Sequence, residues 1–496
     1  MVDLSYTKKA VYNSMLVFSF GVVSAVVSYI FRLYLARSTS IEFYGFFYSV
    51  IAFFSLLLVF TNFGLNQAMI KYIPEFLAKK NLSNLKGSIY LTFFIHTITY
   101  LAVGLLSIVF SGFLAQKYFG VPQYQSLVII YGIYFILTPV LFLWYNLSKG
   151  FQKMNYYSFT ETLQNVILLV GTFIMIRFGF GLYAPFYAQL FVIVMPILFI
   201  PFFIKKFFPD FFKVKANLSK YLTKKLFVFG GSSIIIVFSV VIFSNVDTFL
   251  LTLFMSLKDV GLYQAAYPTT KILSKFTFSL TIVLLPLVSE LWTRNKKSLL
   301  MDGVSSLYKY GSIIFIPISF TMMVFPEIIL RLLFGAEFEP ASAVLRILSL
   351  AALINVSGSI NGSILSGIGK PLITGKIFIV AAIINIILDI ILIPLIGING
   401  AAIGTLIAYI YISFMSFVYM KREVVLAFDT KSFFKTLFAG AIFIVLLSLL
   451  KKFLVMSVIP EAIVSISISV IIYISLIFLL KVLTFEELRD ILKRIY

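Results

Sequence analysis

Fourteen apolar stretches, each long enough to cross a bilayer as a helix, take up most of this 496-residue chain. A spanning helix needs about 20 apolar residues, because within hydrocarbon every backbone N–H and C=O must find its partner inside the segment. The stretches fall at about 11–36, 44–66, 87–113, 122–147, 158–177, 181–204, 226–253, 260–289, 305–326, 341–366, 372–395, 399–420, 433–456 and 459–482. The expected fold is therefore all-α, a polytopic membrane protein of about 14 transmembrane helices. A hydrophobic share of 61%, far above the roughly half-apolar usage of soluble domains, points the same way.

Basic residues set the expected orientation. Of the 40 Lys and Arg, 29 fall at the two termini and in the loops joining even-numbered to odd-numbered stretches, 7 on the opposite side, and 4 within stretches. Cytoplasmic loops hold the excess, so both termini are expected in the cytoplasm, with the chain in the cell membrane. The connection from Lys205 to Lys225 alone carries seven lysines, whereas the turn Gly397 to Gly400 carries none. A net charge of +21 is thus an orientation signal with some attraction to anionic headgroups, about 1 kcal/mol per surface-proximal basic residue. It does not indicate nucleic acid, since no soluble domain remains to present a basic face.

Lys8 and Lys9 precede the first apolar run as in a signal peptide. A cleavable apolar region spans only about 7 to 15 residues, so the longer run here is read as a span. The absence of cysteine excludes disulfides, thiolate chemistry and Cys-ligated metal. Sequons at Asn81, Asn146 and Asn217 all fall on the expected inner side and are not expected to be glycosylated.

Self-comparison reveals a duplication. Ser40-Ile41-Glu42-Phe43-Tyr44-Gly45-Phe46-Phe47 matches Ser256-Leu257-Lys258-Asp259-Val260-Gly261-Leu262-Tyr263. Phe119-Gly120 matches Phe334-Gly335, Gly150-Phe151-Gln152-Lys153 matches Gly367-Ile368-Gly369-Lys370, and Gly181 matches Gly400. The offset stays near-constant through four anchors in unchanged order. Six spans per copy is an even number, so both copies enter the membrane from the same side, as in parallel-repeat transporters. Two parallel six-helix bundles around a central cavity, at 1–210 and 211–425, with two additional helices and a tail at 426–496, are the expected organisation.

The chain resembles the flippase branch of the multidrug/oligosaccharidyl-lipid/polysaccharide exporter superfamily, the polysaccharide-biosynthesis or Wzx-type flippases of lipid-linked oligosaccharides. The likeness is carried by Phe43-Tyr44-Gly45-Phe46-Phe47 running through Thr61-Asn62-Phe63-Gly64-Leu65 to Ile70-Lys71-Tyr72-Ile73, and by Asn245-Val246-Asp247 followed by Val260-Gly261-Leu262-Tyr263. Leu333-Phe334-Gly335-Ala336-Glu337-Phe338 with Leu345-Arg346-Ile347-Leu348, and Gly367 to Lys370 with the run from Gly397 to Gly404, complete it. The resemblance implies transport of a polyprenyl-linked glycan between leaflets, with the prenyl tail in lipid or against the last two helices and glycan-assembly enzymes as partners. A drug/cation antiporter of the same superfamily and a non-transporting scaffold are the rival readings.

Ionisable residues inside spans are costly and usually face a bundle interior or a wet cavity. Lys271 and Lys275 lie one turn apart on one helix face, an arrangement suited to an anion such as pyrophosphate. Arg32, aligned by the duplication near Asp247, is a candidate cross-helix ion pair and gate. Arg346, with its planar guanidinium, suits bidentate phosphate contact. Asp247 with Asn245, and Asp389, are candidates for gating or for proton or Na+ coupling. Glu161 is read as a carboxylate at a helix start, where the dipole favours it. His96, the single histidine, is read as a hydrogen-bonded interior residue, and no metal site is expected. Four basic against three acidic residues in this set favour an anionic substrate over a cationic one. No Walker A run, Ser/His/Asp arrangement or paired carboxylate on a soluble loop is present, so no enzymatic activity and no cofactor are expected.

Overall fold

The computed structural model describes residues 4–423, 430–454, 458–487 and 489, giving the backbone alone for 4–15, 232–233, 235–237, 274–283, 285–286, 430 and 458. Among these residues every regular element is helical, and the chain forms two compact units, Met1–Val260 and Gly261–Tyr496. The first unit contains α1 (Leu4–Ser38), α2 (Ile41–Asn62), α3 (Leu65–Ala78), α4 (Leu82–Val109), a short α5 (Ser111–Phe113), α6 (Gln125–Gly150), α7 (Met154–Arg177), α8 (Ala184–Phe207) and α9 (Lys220–Phe254). Helix α10 (Leu257–Thr293) leads into the second, which holds α11 (Lys297–Val324), α12 (Pro326–Leu333), α13 (Ser342–Gly367), α14 (Pro371–Ile396), α15 (Ile398–Glu423), α16 (Thr430–Phe453) and α17 (Val458–Leu479).

Each of the fourteen expected stretches lies on a helix of 22 residues or more, and twelve of these are long and apolar enough to cross a membrane among the described residues. The chain is a multi-pass membrane protein. Helix starts follow side-chain caps. Ser40 accepts from the N–H of Phe43 at 3.2 Å to begin α2, and Ser256 accepts from the N–H of Asp259 at 3.2 Å to begin α10, so the first anchor of the duplication is the same N-cap used twice. The third anchor is a shared backbone shape. Gln152 and Gly369 sit at equivalent positions with φ of 58° and 86°, and each ends a helix before the next begins.

Packing repeats as well. In the first unit α4 lies on α6, α6 on α8 and α7 on α8; in the second α11 lies on α13, α13 on α15 and α14 on α15. The division by contact differs from the division by duplication in the placement of α9, which packs on α2, α3 and α4. Its approach is closest where Gly64, at φ 71°, meets Gly230: a Cβ on Gly64 would stand 2.0 Å from the Gly230 carbonyl oxygen. Only two facing glycines allow backbones so near.

Helix α3 is an addition to the expected fold. Leu65, Ala68, Met69, Tyr72, Ile73 and Phe76 are buried along it, the i, i+3, i+4 spacing of an amphipathic helix. Glu75, at the edge of that face, pairs with Lys79 at 2.8 Å and with Lys225 of α9 at 3.1 Å. Glu161 corrects another expectation. Helix α7 begins at Met154, so Glu161 lies in its third turn and the helix dipole is not what holds it.

Candidate functional site

Three polar clusters lie among the helices. In the first unit, Arg32 of α1 places its guanidinium 3.9 Å from the centre of the Tyr48 ring, with Tyr44 as a hydrogen-bonding neighbour. Tyr44 and Tyr48 are one turn apart on α2, both buried, with ring centres 4.9 Å apart. The aromatic faces and phenol oxygens give a guanidinium an environment that bare hydrocarbon denies it. Asp247 is buried on α9, and five residues on, the Thr252 hydroxyl is hydrogen-bonded with the Ser49 hydroxyl of α2 at 2.8 Å. The Asn245 amide donates to the Val241 carbonyl of its own helix at 2.9 Å.

The second cluster was not foreseen from the sequence. Helices α2, α3, α6 and α9 of the first unit enclose a cavity of about 230 Å³, with polar walls from Asn62, Asn66, Gln67, Tyr145, Asn146 and Lys149 and apolar ones from Leu58, Phe142 and Phe238. Asn146 donates to Asn66 at 2.5 Å, and Tyr145 donates to Gln164 of α7. The Lys149 ammonium rests 3.9 Å from the centre of the Tyr157 ring, with Glu161 as the neighbouring carboxylate. His96 is buried behind this wall, one ring nitrogen 3.4 Å from the Asn62 carbonyl oxygen. The signal was available: Asn62, Asn66, Tyr145 and Asn146 are polar groups at the ends of apolar runs, where burial is hard to distinguish from exposure without the packing.

The third cluster belongs to the second unit. Asp389 and Asn385 are fully buried, one turn apart on α14, with the Asn385 amide 3.3 Å from the Asp389 carboxylate. Gly404 of α15 faces them so closely that a Cβ there would lie 2.5 Å from the Asp389 carboxylate oxygen, and Thr405 is buried beside it. The Asn385 carbonyl oxygen has no hydrogen-bond partner. An unsatisfied amide oxygen beside a buried carboxylate is a costly arrangement, and a bound hard cation would relieve it. Asp389 was foreseen as a coupling residue near a helix end; Asn385 and Gly404 were missed, although the i, i+4 spacing of Asn385 and Asp389 is visible in the sequence.

The remaining candidates are dispersed. Lys271 holds its ammonium 4.0 Å from the centre of the Tyr267 ring, one turn earlier on α10. The side chain of Lys275 lies outside the described residues. Arg346 pairs with Glu327 of α12 and donates to the Met323 carbonyl at 3.1 Å, while Lys451 of α16 reaches the same Glu327 at 3.2 Å. Glu327 thus joins α12, α13 and α16 through two cations. Among the described residues no group of three or more His, Asp or Glu is placed to hold a metal ion.

The comparisons agree with this architecture. Residues 10–292 match the family model described as polysaccharide biosynthesis protein, and 232–391 match the MatE model. The chain is 33% identical to an uncharacterized membrane protein of Methanocaldococcus jannaschii over 99% of both proteins. It is 27% identical to the probable low-salt glycan biosynthesis flippase Agl15 of Haloferax volcanii, over 40% of this chain and 42% of that protein. The solved structure of the lipid II flippase MurJ in an inward closed conformation shares the fold, with a TM-score of 0.73 at 18% identity, covering 92% of this chain and 97% of that one.

Proposed function

This chain belongs to the polysaccharide biosynthesis protein family, within the multidrug/oligosaccharidyl-lipid/polysaccharide transporters, and from that premise we propose that it moves a lipid-linked oligosaccharide from the cytoplasmic to the outer leaflet of the cell membrane. The observation that carries the reading is the amide- and phenol-lined cavity enclosed by α2, α3, α6 and α9 of the first unit. A sugar hydroxyl stripped of water without a new partner costs several kcal/mol, so a glycan needs such groups along its path. Asn and Gln side chains supply both donors and acceptors, matching hydroxyls that are themselves both.

The polyprenyl phosphate or pyrophosphate would be met by cations, with Lys149, Arg32, Lys271, Lys275 and Arg346 as the candidates. An inside-negative potential favours outward movement of the anion by about 2.3 kcal/mol per charge per 100 mV. Asp389 with Asn385, and Asp247 with Asn245, are the groups through which Na+ or a proton would bias the cycle. Both termini face the cytoplasm in this scheme, and enzymes that build and consume the glycan are the partners.

The test is outward appearance of a labelled polyprenyl-linked oligosaccharide in reconstituted vesicles. Lys149→Met should reduce the rate about tenfold or more, since a charge-assisted contact contributes about 1.5–3 kcal/mol. The Lys271→Ala, Lys275→Ala double variant should abolish transport while still inserting in the membrane. Vesicles that export a cationic dye and leave the glycan in place would replace this reading with the antiporter.

A further inference from the structure

A second cavity of about 230 Å³ lies in the second unit, between the N-terminal half of α11 and the first two turns of α16, and the transport scheme does not use it. Asp302, Ser305, Ser306, Tyr308, Lys309 and Ser312 line it from α11, residues that fall within about 160° of one helix face. Ser432, Phe433 and Thr436 face it from α16.

Much of the wall offers hydrogen-bond acceptors. Ser306 donates its hydroxyl proton to the Asp302 carbonyl at 2.8 Å, Ser312 to the Tyr308 carbonyl at 2.6 Å, and Thr436 to the Ser432 carbonyl at 2.8 Å. Tyr308 donates to Asn361. A hydroxyl has one proton to give and two lone pairs, so these four groups turn only acceptors toward the cavity. The Asp302 carboxylate at the mouth is in no ion pair among the described residues. Such a wall calls for a ligand rich in N–H donors.

Lys309 adds a second requirement. Its ammonium meets both carboxylate oxygens of Glu487 at 2.9 Å, and Glu487 is held in place by a reciprocal cap with Thr484, each N–H 3.2 Å from the other side chain. The cation on the cavity wall is therefore paired with a carboxylate from the C-terminal segment. Position narrows the ligand further. Helix α11 has 28 residues, about 42 Å at 1.5 Å per residue against about 30 Å of hydrocarbon, so about two turns can extend into the headgroup layer, enough to place Asp302 there with the rest of the cavity running deeper along the helix.

We propose that this cavity binds the headgroup of a zwitterionic phospholipid carrying a primary ammonium. Asp302 and the Ser306, Ser312 and Thr436 oxygens take the ammonium, and Lys309 takes the phosphate in exchange for Glu487. The geometry that carries this is a carboxylate and a set of hydroxyl oxygens, Asp302 with Ser306, Ser312 and Thr436, lining one cavity with Lys309, a cation already paired with a carboxylate.

Binding is read by native mass spectrometry on the full chain in detergent, titrated with phosphatidylethanolamine, phosphatidylcholine, phosphatidylglycerol or soluble phosphoethanolamine. Phosphatidylethanolamine should bind about tenfold tighter than phosphatidylcholine, whose quaternary nitrogen keeps the charge and lacks N–H donors. Asp302→Asn should remove that preference, and Glu487→Gln should strengthen phosphatidylethanolamine binding several-fold by removing the competitor. Where Asp302→Asn does not fold, the Ser306→Ala, Thr436→Val pair should show the same loss of preference. Equal binding of the ethanolamine and choline lipids, or equal binding of phosphatidylglycerol, overturns the ammonium assignment. Binding of soluble phosphoethanolamine without the lipid overturns the membrane source, and unchanged or weaker binding in Glu487→Gln overturns the exchange.

Discussion

Replacing Gly404 by alanine tests the buried cluster on α14 without removing any of its polar groups. A Cβ at 404 would lie 2.5 Å from the Asp389 carboxylate oxygen and 3.2 Å from the Asn385 amide nitrogen, where ordinary contact begins at 3.4 Å. The overlap with the oxygen is therefore about 0.9 Å, and either the carboxylate turns away or α15 moves off α14. Overpacking of this kind costs about 1–3 kcal/mol. If the cost falls on the orientation in which Asp389 and Asn385 present their oxygens to a cation, apparent cation affinity drops by about 5- to 150-fold. The assay is thermal unfolding of detergent-purified protein across a NaCl series, with choline chloride holding ionic strength constant. A cation that binds only the folded state raises stability by RT ln(1 + [L]/Kd), about 1.4 kcal/mol at ten times Kd. Wild type should show a saturable Na+-dependent rise, and Gly404→Ala should need far more Na+ for the same rise. A pH series without Na+ tests a proton in its place. An unshifted midpoint in Gly404→Ala for both ions would refute the reasoning, because it would mean either that no cation is held by Asp389 and Asn385 or that α15 moves off α14 and leaves the carboxylate in place.

Other perturbations reach the remaining clusters. If Arg32 and Asp247 form a gate, Arg32→Glu and Asp247→Arg should each abolish transport, and the two together should recover part of it; equal failure of the double variant removes the pair. Lys79 and Lys225 hold the Glu75 carboxyl below its usual range, so its contribution is present at neutral pH and is lost as pH falls through the lowered value. Glu75→Gln should thus cost less than about 1 kcal/mol at pH 7, with the gap to wild type closing in acid; a gap that persists below pH 3 would argue for packing instead. Gly230→Ala places a Cβ 2.7 Å from the Phe63 carbonyl oxygen and should lower the melting temperature by an amount equivalent to about 1–3 kcal/mol. An unchanged melt would mean that α9 can shift away from the α2–α3 turn.

Much of the architecture was legible because it depends on interactions local in the chain. A spanning helix satisfies its own backbone, so an apolar run of sufficient length is nearly the whole specification, and the expected stretches on α2, α4, α14 and α15 all lie on helices. Boundaries were less legible. Polar first turns such as Asn155-Tyr156-Tyr157-Ser158 of α7 carry no hydropathy signal, which displaced the expected start and with it the reading of Glu161. Helix α3 was missed for a related reason: at 14 residues it is too short to span, and only its amphipathic spacing betrays it.

For the candidate site, composition and spacing nominated charged residues, and the partners came from packing. Hydropathy and loop charge alone specify the long apolar helices and the orientation they are expected to take, since each such helix meets the bilayer singly. Which polar group meets which is different. Arg346 finds Glu327, 19 residues away across a turn, the Gly404 backbone approaches Asp389 from another helix, and the walls of the first cavity come from four helices that no spacing rule relates. These contacts exist only once helix faces are chosen against one another, and that choice rests on close packing between distant segments, which no single run of residues contains.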